Sequence, residues 1–163
     1  MVEQVLLAMI AYYHGDARRI NHFMKVYDFA QAIGAGEKLD SKTQEILLIA
    51  ALTHDIGIKN SEAKYGSAAG NYQQLEGPPE AEKLLRGLGV DEAVINRVCW
   101  LIAHHHTYKD IQGLDYQILV EADFLVNAYE DSLSADALGA FERSVFQTET
   151  GKMLLHTLYS DPA

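Results

Sequence analysis

Only three prolines occur in the 163 residues, and two of them, Pro78 and Pro79, are adjacent. The third, Pro162, sits at the C-terminal end. Between these breaks run long stretches rich in Ala, Leu, Glu and Gln, the residues that lose least on entering a helix. No alternation of apolar and polar residues is long enough to support a competing strand. Nor does any repeat of fixed period or low-complexity tract interrupt the pattern. The expected fold class is therefore all-α: a compact single-domain bundle over residues 1–163, with about seven to eight helices joined by short connections.

The periodicity predicts helices over Val2 to Tyr13 and Ala17 to Ala35, the second stopped by Gly34 and Gly36. Ser41 is the expected cap of a third, with Gln44 as its capping-box partner, running to about Asp55 and ending at Gly57. Ile58 to Leu75 reads as a long loop with at most one helical turn. Pro79 suits the first turn of a fourth helix ending at Leu88. Asp91 caps a fifth reaching about His105, Asp115 starts a sixth from Tyr116 to Asp131, and Ser134 caps a seventh to Phe146. A last short helix follows Gly151. The flanking helices either pack on the bundle or form a homodimer contact.

Thirteen Lys and Arg against 23 Asp and Glu give a formal charge of −10. Such a surface repels phosphate backbones and anionic membranes, so neither broad nucleic-acid binding nor a membrane partner is expected. A small phosphorylated substrate is compatible with it, because a metal ion can reverse the field inside one pocket. The single cysteine, Cys99, excludes an intramolecular disulfide and a Cys-based zinc site. No apolar stretch approaches the ~20 residues of a membrane span. Glu3 precedes the apolar N-terminal run, which carries no Lys or Arg, so a secretory leader is not expected and the default location is cytoplasmic.

Four places hold polar groups where an apolar helix should have none. The run Ile46 to Leu52 is apolar nearly all round and delivers His54 and Asp55 at its end, where the helix dipole is unfavourable to a carboxylate. Asp123 has Leu119, Val120, Val126 and Asn127 as helical neighbours, mostly apolar, and a buried carboxylate must be paired, protonated or metal-bound. Glu121 lies about 200° around the same helix and reads as a structural partner. His104, His105 and His106 close a helix that is apolar up to Ala103. Three imidazoles exceed what a helix C-terminus needs, and neutral imidazoles are common metal ligands. His22 sits among Ile20, Phe23 and Val26, with Arg18 and Arg19 on the same face. Each feature alone also has a structural reading: a hydrogen-bonded helix end, a buried ion pair, a satisfied core histidine, or arginines paired on an acidic surface. Together they form an ordered set of imidazoles and carboxylates without thiolate, which suits a divalent first-row ion.

This ordered set resembles the HD superfamily of metal-dependent phosphohydrolases, named for a His…His-Asp…Asp signature on an all-α bundle. The resemblance spans about residues 17 to 131. It rests on Arg19-Ile20-Asn21-His22, Leu52-Thr53-His54-Asp55-Ile56-Gly57, Leu101-Ile102-Ala103-His104-His105 and Glu121-Ala122-Asp123. It implies His22, His54, Asp55 and Asp123 as ligands of one metal. It also implies Asp55 as a bridge to a second ion held by His104 and His105, with His106 the alternative to either. Two-metal members have a histidine where this chain has Glu76, and many have lysine where it has Ile58, with Lys59 displaced by one.

The leading expectation is a metal-dependent phosphohydrolase, a phosphomonoesterase or phosphodiesterase acting on a phosphate ester such as a nucleotide. One or two divalent ions (Mn, Fe, Co, Ni, Mg or Zn) would activate water. Arg18, Arg19 and Lys64 are expected to bind substrate phosphate, Lys59 to reach the site, and Glu76 to act as ligand or base. The alternatives are an HD-type di-iron oxygenase and a non-catalytic, metal-stabilised domain that senses a nucleotide.

Overall fold

Short polar side chains mark where five of the helices begin. Asp16, Asp40, Asp91, Ser134 and Thr148 each accept a hydrogen bond from a backbone N–H two or three residues on. Such a cap contributes about 1 kcal/mol by satisfying an N–H that the helix leaves unpaired. The computed structural model describes residues 1–160, and Pro162 lies outside them. Among the described residues there are nine α-helices: α1 Val2–Tyr12, α2 Ala17–Gly36, α3 Ser41–Thr53, α4 Ile58–Tyr65, α5 Gly70–Gly87, α6 Glu92–His104, α7 Leu114–Glu130, α8 Ala135–Val145 and α9 Glu149–Tyr159. There is no strand among the described residues. None of these helices is long and apolar enough to cross a membrane.

The expected all-α bundle is present, and most helix boundaries lie within two residues of the expected ones. Two places differ. The cap of α3 is Asp40, one residue before Ser41, and Gln44 lies against Gly34 of α2 instead of returning a bond to the cap. More substantially, the segment read as a long loop is mostly helical. It forms α4, and α5 starts at Gly70 and continues through Pro78 and Pro79. Two prolines inside a helix remove two N–H donors. Packing holds the helix together across them. A Cβ on Gly57 would lie 2.6 Å from the backbone nitrogen of Gly77, and one on Gly77 would lie 2.5 Å from Ile102 Cγ2. The missing side chains let the turn before α4 and the middle of α5 approach almost backbone to backbone, and let Ile102 of α6 pack directly onto the α5 backbone. Tertiary burial outweighs local propensity here.

The core is centred on α3 and α7. Every residue of α3 from Leu47 to Thr53 is buried, and α7 is buried from Asp115 to Val126 without a gap. Each fully buried Leu or Ile contributes about 1.5–3 kcal/mol relative to exposure. α3 packs against α1, α2, α6 and α7, while α5 lies along α6. The flanking helices pack on this core: α1 against α3, and α9 against α2 and α7. Phe141 of α8 stacks on Phe124 of α7 at 3.7 Å between ring centroids.

Candidate metal centre

The polar groups buried in this core come from four helices and meet at one place. α2 contributes His22, the end of α3 His54 and Asp55, the end of α6 His105 and His106, and α7 Asp123. His22 Nε2 lies 3.2 Å from His54 Nε2 and 3.3 Å from both Asp55 Oδ2 and Asp123 Oδ1. His54 Nε2 is 3.4 Å from Asp123 Oδ1 and 3.5 Å from Asp55 Oδ1. Asp55 Oδ1 also stands 3.7 Å from His105 Nε2. Two groups of convergent donors result, His22/His54/Asp123 and Asp55/His105/His106.

The far side of each imidazole fixes which nitrogen faces inward. His54 Nδ1–H donates to the Ala51 carbonyl at 2.8 Å, and His105 Nδ1–H to the Ile102 carbonyl at 2.7 Å. His22 Nδ1–H donates to Glu130 Oε2 at 2.9 Å, and Lys25 Nζ holds the other oxygen of Glu130 at 2.9 Å. Asn127 Nδ2 donates to Asp123 Oδ1 at 2.9 Å. With the Nδ1 protons committed outward, three Nε2 lone pairs and two carboxylates face one another. Ligands held about 2.0–2.2 Å from a shared ion stand roughly 3.0–3.5 Å apart, the spacing of the inner group here. His105 Nε2 is buried and has no hydrogen-bond partner. Outer carboxylates and carbonyls of this kind orient metal-binding histidines. The donor set and its orphaned nitrogen fit a divalent cation.

Electrostatics point the same way. Burial alone would depress His54, but the Asp55 and Asp123 carboxylates outweigh it and push it up to about 9. His22 rises as well: burial opposes protonation, and Asp123 and Asp55 overcome it. Burial works against ionisation of both aspartates, yet the facing imidazoles hold Asp55 and Asp123 well below the usual carboxylate range. His106 goes the other way, down to about 4, through burial and its neighbour His105. In the absence of a metal, protons must balance the inner carboxylates, and a divalent ion can replace them.

A cleft of ≈ 650 Å³ opens onto the cluster. Arg18, Arg19, Asp16, Glu62 and Asp131 form part of its wall beside the metal-facing residues, so it is acidic overall. Arg19 is held by Asp16 and Glu62, each at 2.6 Å, whereas Arg18 is exposed.

The structure thus brings together His22, His54, Asp55, His105 and Asp123. It leaves out four other residues expected at the site. His104 points away: its ring stacks on Trp100 at 4.0 Å and its Nδ1 meets the Trp100 carbonyl. Successive helical residues differ by about 100°, so three adjacent histidines cannot share one direction. His106 occupies the position expected for His104. Lys59 places Nζ 5.1 Å over the Tyr12 ring, towards α1 and outside the cleft. Glu76 is buried with both oxygens engaged, by Lys64 Nζ at 2.6 Å and Tyr65 Oη at 2.9 Å. Those two bonds hold its carboxyl below its ordinary range, which suits a strap between α4 and α5 and not a base. Lys64 is committed to that strap and does not line the cleft.

Glu121 is a structural partner. It accepts from Gln117 Nε2 at 2.7 Å, from the backbone N–H groups of Gln147 and Thr148, and from the Thr148 hydroxyl. Two supporting residues escape a sequence reading: Glu130, and Gln73, whose Oε1 lies 3.1 Å from His106 Nε2. Asn127 carried a signal, being one turn from Asp123.

An HD domain family model matches residues 19–138. No curated protein matches the chain. Among solved structures, that of a predicted HD superfamily hydrolase from an uncultured Thermotogales bacterium superposes with a TM-score of 0.68 at 26% identity, covering 97% of this chain and 84% of that one.

Proposed function

Because the chain belongs to the HD domain family, we propose that it is a metal-dependent phosphohydrolase that cleaves a small phosphate ester with metal-activated water. One observation carries the reading: inward-facing imidazole nitrogens and two carboxylates converge at the base of an open cleft, each oriented by an outer partner. His22, His54, Asp55 and Asp123 would hold one ion, and His105 and His106 a second, with Asp55 shared between them. A divalent ion in this setting lowers the pKa of a bound water towards neutrality and neutralises charge on the phosphoryl oxygens.

The remaining roles belong to the chain. Without cations the acidic cleft repels a phosphate dianion, so substrate affinity and metal loading are coupled. Arg18 lies on the rim, lining both the main cleft and the shallower groove beside it, and is the residue assigned to substrate phosphate. Arg19, also expected to bind substrate phosphate, lines the cleft but is fixed between Asp16 and Glu62, so its charge is already balanced and it shapes the wall. Glu130 and Asn127 hold His22 and Asp123 in register.

The test is elemental analysis of the purified protein, followed by phosphomonoester and phosphodiester panels with that metal restored. Bound divalent metal and metal-dependent hydrolysis of an ester in either panel, read as free phosphate from monoesters and as the monoester and alcohol products from diesters, support the reading. A metal-loaded protein that hydrolyses no ester of either panel overturns it. Dioxygen uptake by the ferrous protein in place of ester hydrolysis would transfer the same ligands to oxygenase chemistry.

A further inference from the structure

The histidines of the centre do not all commit the same nitrogen to a partner. His22, His54 and His105 each commit Nδ1 to an outer carboxylate or carbonyl. His106 instead commits Nε2, to Gln73 Oε1 at 3.1 Å. The orientation of the Gln73 amide is itself fixed. Its Nε2 donates to the Ala68 carbonyl at 2.7 Å, an acceptor only, so the atom facing His106 must be the carbonyl oxygen. An oxygen accepts, so His106 must carry its proton on Nε2. The lone pair left to meet an ion is then on Nδ1.

A steric wedge supports the same pose. A Cβ on Gly70 would lie 2.9 Å from Cγ and Cδ2 of His106, so the first residue of α5 must be glycine for the ring to lie where it does. Gln73 is itself buried, and both it and Ala68 line the cleft.

We propose that Gln73, buttressed by Gly70, is a positioning residue that sets His106 in the Nε2–H form and thereby builds the second half of the centre through Nδ1. This rests on the two-ion reading given above but separates from it under test. The 66–73 segment, outside every metal-ligand position, decides whether the second ion is held tightly.

Two measurements test it. Long-range ¹H–¹⁵N spectra of the metal-free protein report the tautomer of each buried histidine, whatever number of ions binds. The expected result is Nε2–H for His106 and Nδ1–H for His105. An Nδ1–H signal for His106 overturns the proposal even in an active two-metal hydrolase. Equilibrium dialysis against Mn²⁺ then compares Gln73→Leu, Gln73→Glu and Gly70→Ala with the parent. Loss of an outer partner of a metal ligand typically weakens affinity by about 10–100-fold. Gln73→Leu and Gly70→Ala should show that loss at the second ion only, and Gln73→Glu, which keeps an acceptor for the ring, should recover most of it. Unchanged second-ion affinity in both Gln73→Leu and Gly70→Ala refutes the positioning role. A parent protein that binds a single ion defeats the two-ion reading and with it the proposed role at the second ion.

Discussion

The two halves of the centre are built by different means. His22, His54 and Asp123 lie on or directly at the ends of long, buried helices, with His54 braced by its own helix's backbone and Asp123 by Asn127 one turn on. The other half uses His105 and His106 just past the last turn of α6, with His106 leaning on a side-chain amide from the start of α5. Buried helices and their ends fix the first half wherever the core folds, and His105 with it, braced by the Ile102 carbonyl as His54 is by that of Ala51. His106 also requires a short, glycine-containing segment to be in place. Order at the first half follows from burial, whereas order at His106 depends on one amide.

The largest perturbation removes what both halves share. Asp55→Ala should leave neither group complete, dropping metal content below one ion per chain. A metal centre contributes several kcal/mol to the transition state, so ester hydrolysis should slow by about three orders of magnitude or more. Elemental analysis and initial rates check this, and full activity would rule out Asp55 as the shared ligand. The next change separates the halves. Glu130→Gln weakens the brace on His22 and should reduce first-ion affinity by about 10–100-fold while sparing the second. Mn²⁺ dialysis should thus give a pattern opposite to that of Gln73→Leu.

A pH series sharpens the comparison further. In the metal-free protein His54 is raised to about 9 from an ordinary 6.5, so the folded state holds its proton more tightly than the unfolded chain. That contribution to stability is fully present below about pH 6.5 and is lost as pH rises through about 9. Thermal melts of the metal-free protein should therefore fall across that window, while those of the metal-loaded protein fall less. Metal affinity should strengthen over the same range, because binding expels the proton. The smallest effect is expected at His104. His104→Ala removes one ring stacked on Trp100, with a stability loss of about 1 kcal/mol or less and unchanged ion content. Loss of an ion in that variant would return His104 to the ligand set.

Much of this was readable in the sequence because buried charge is costly. An apolar run ending in His54-Asp55, and an aspartate amid Leu119, Val120 and Val126, each require a counter-charge, and one shared cation satisfies both. The choice among the three histidines was also encoded, though less openly. His104 continues the face of Arg97 and exposed Trp100, whereas His105 follows Val98 and Leu101, which are buried. Counting in steps of three and four keeps His105 and sets His104 aside, where the resemblance implied both. Other features had no local signature. The passage of α5 through Pro78-Pro79 depends on Gly57 meeting Gly77, a contact between segments twenty residues apart in sequence. Glu130 meets His22 across 108 positions. Glu76 looked like a site residue because it stands where two-metal members have a histidine, and Lys64 because it is a cation in the segment read as a loop; only their mutual 2.6 Å contact reveals a strap.

Glu121 carries a consequence for how far the polypeptide can be shortened. It sits two residues before Asp123, wholly inside the protein, and its carboxylate is satisfied largely by the first groups of the C-terminal helix. Deleting residues from Gln147 onward would strand an anion in the heart of α7, and water would have to enter there to solvate it. The damage would appear as looser metal retention at a site that the deleted residues never touch.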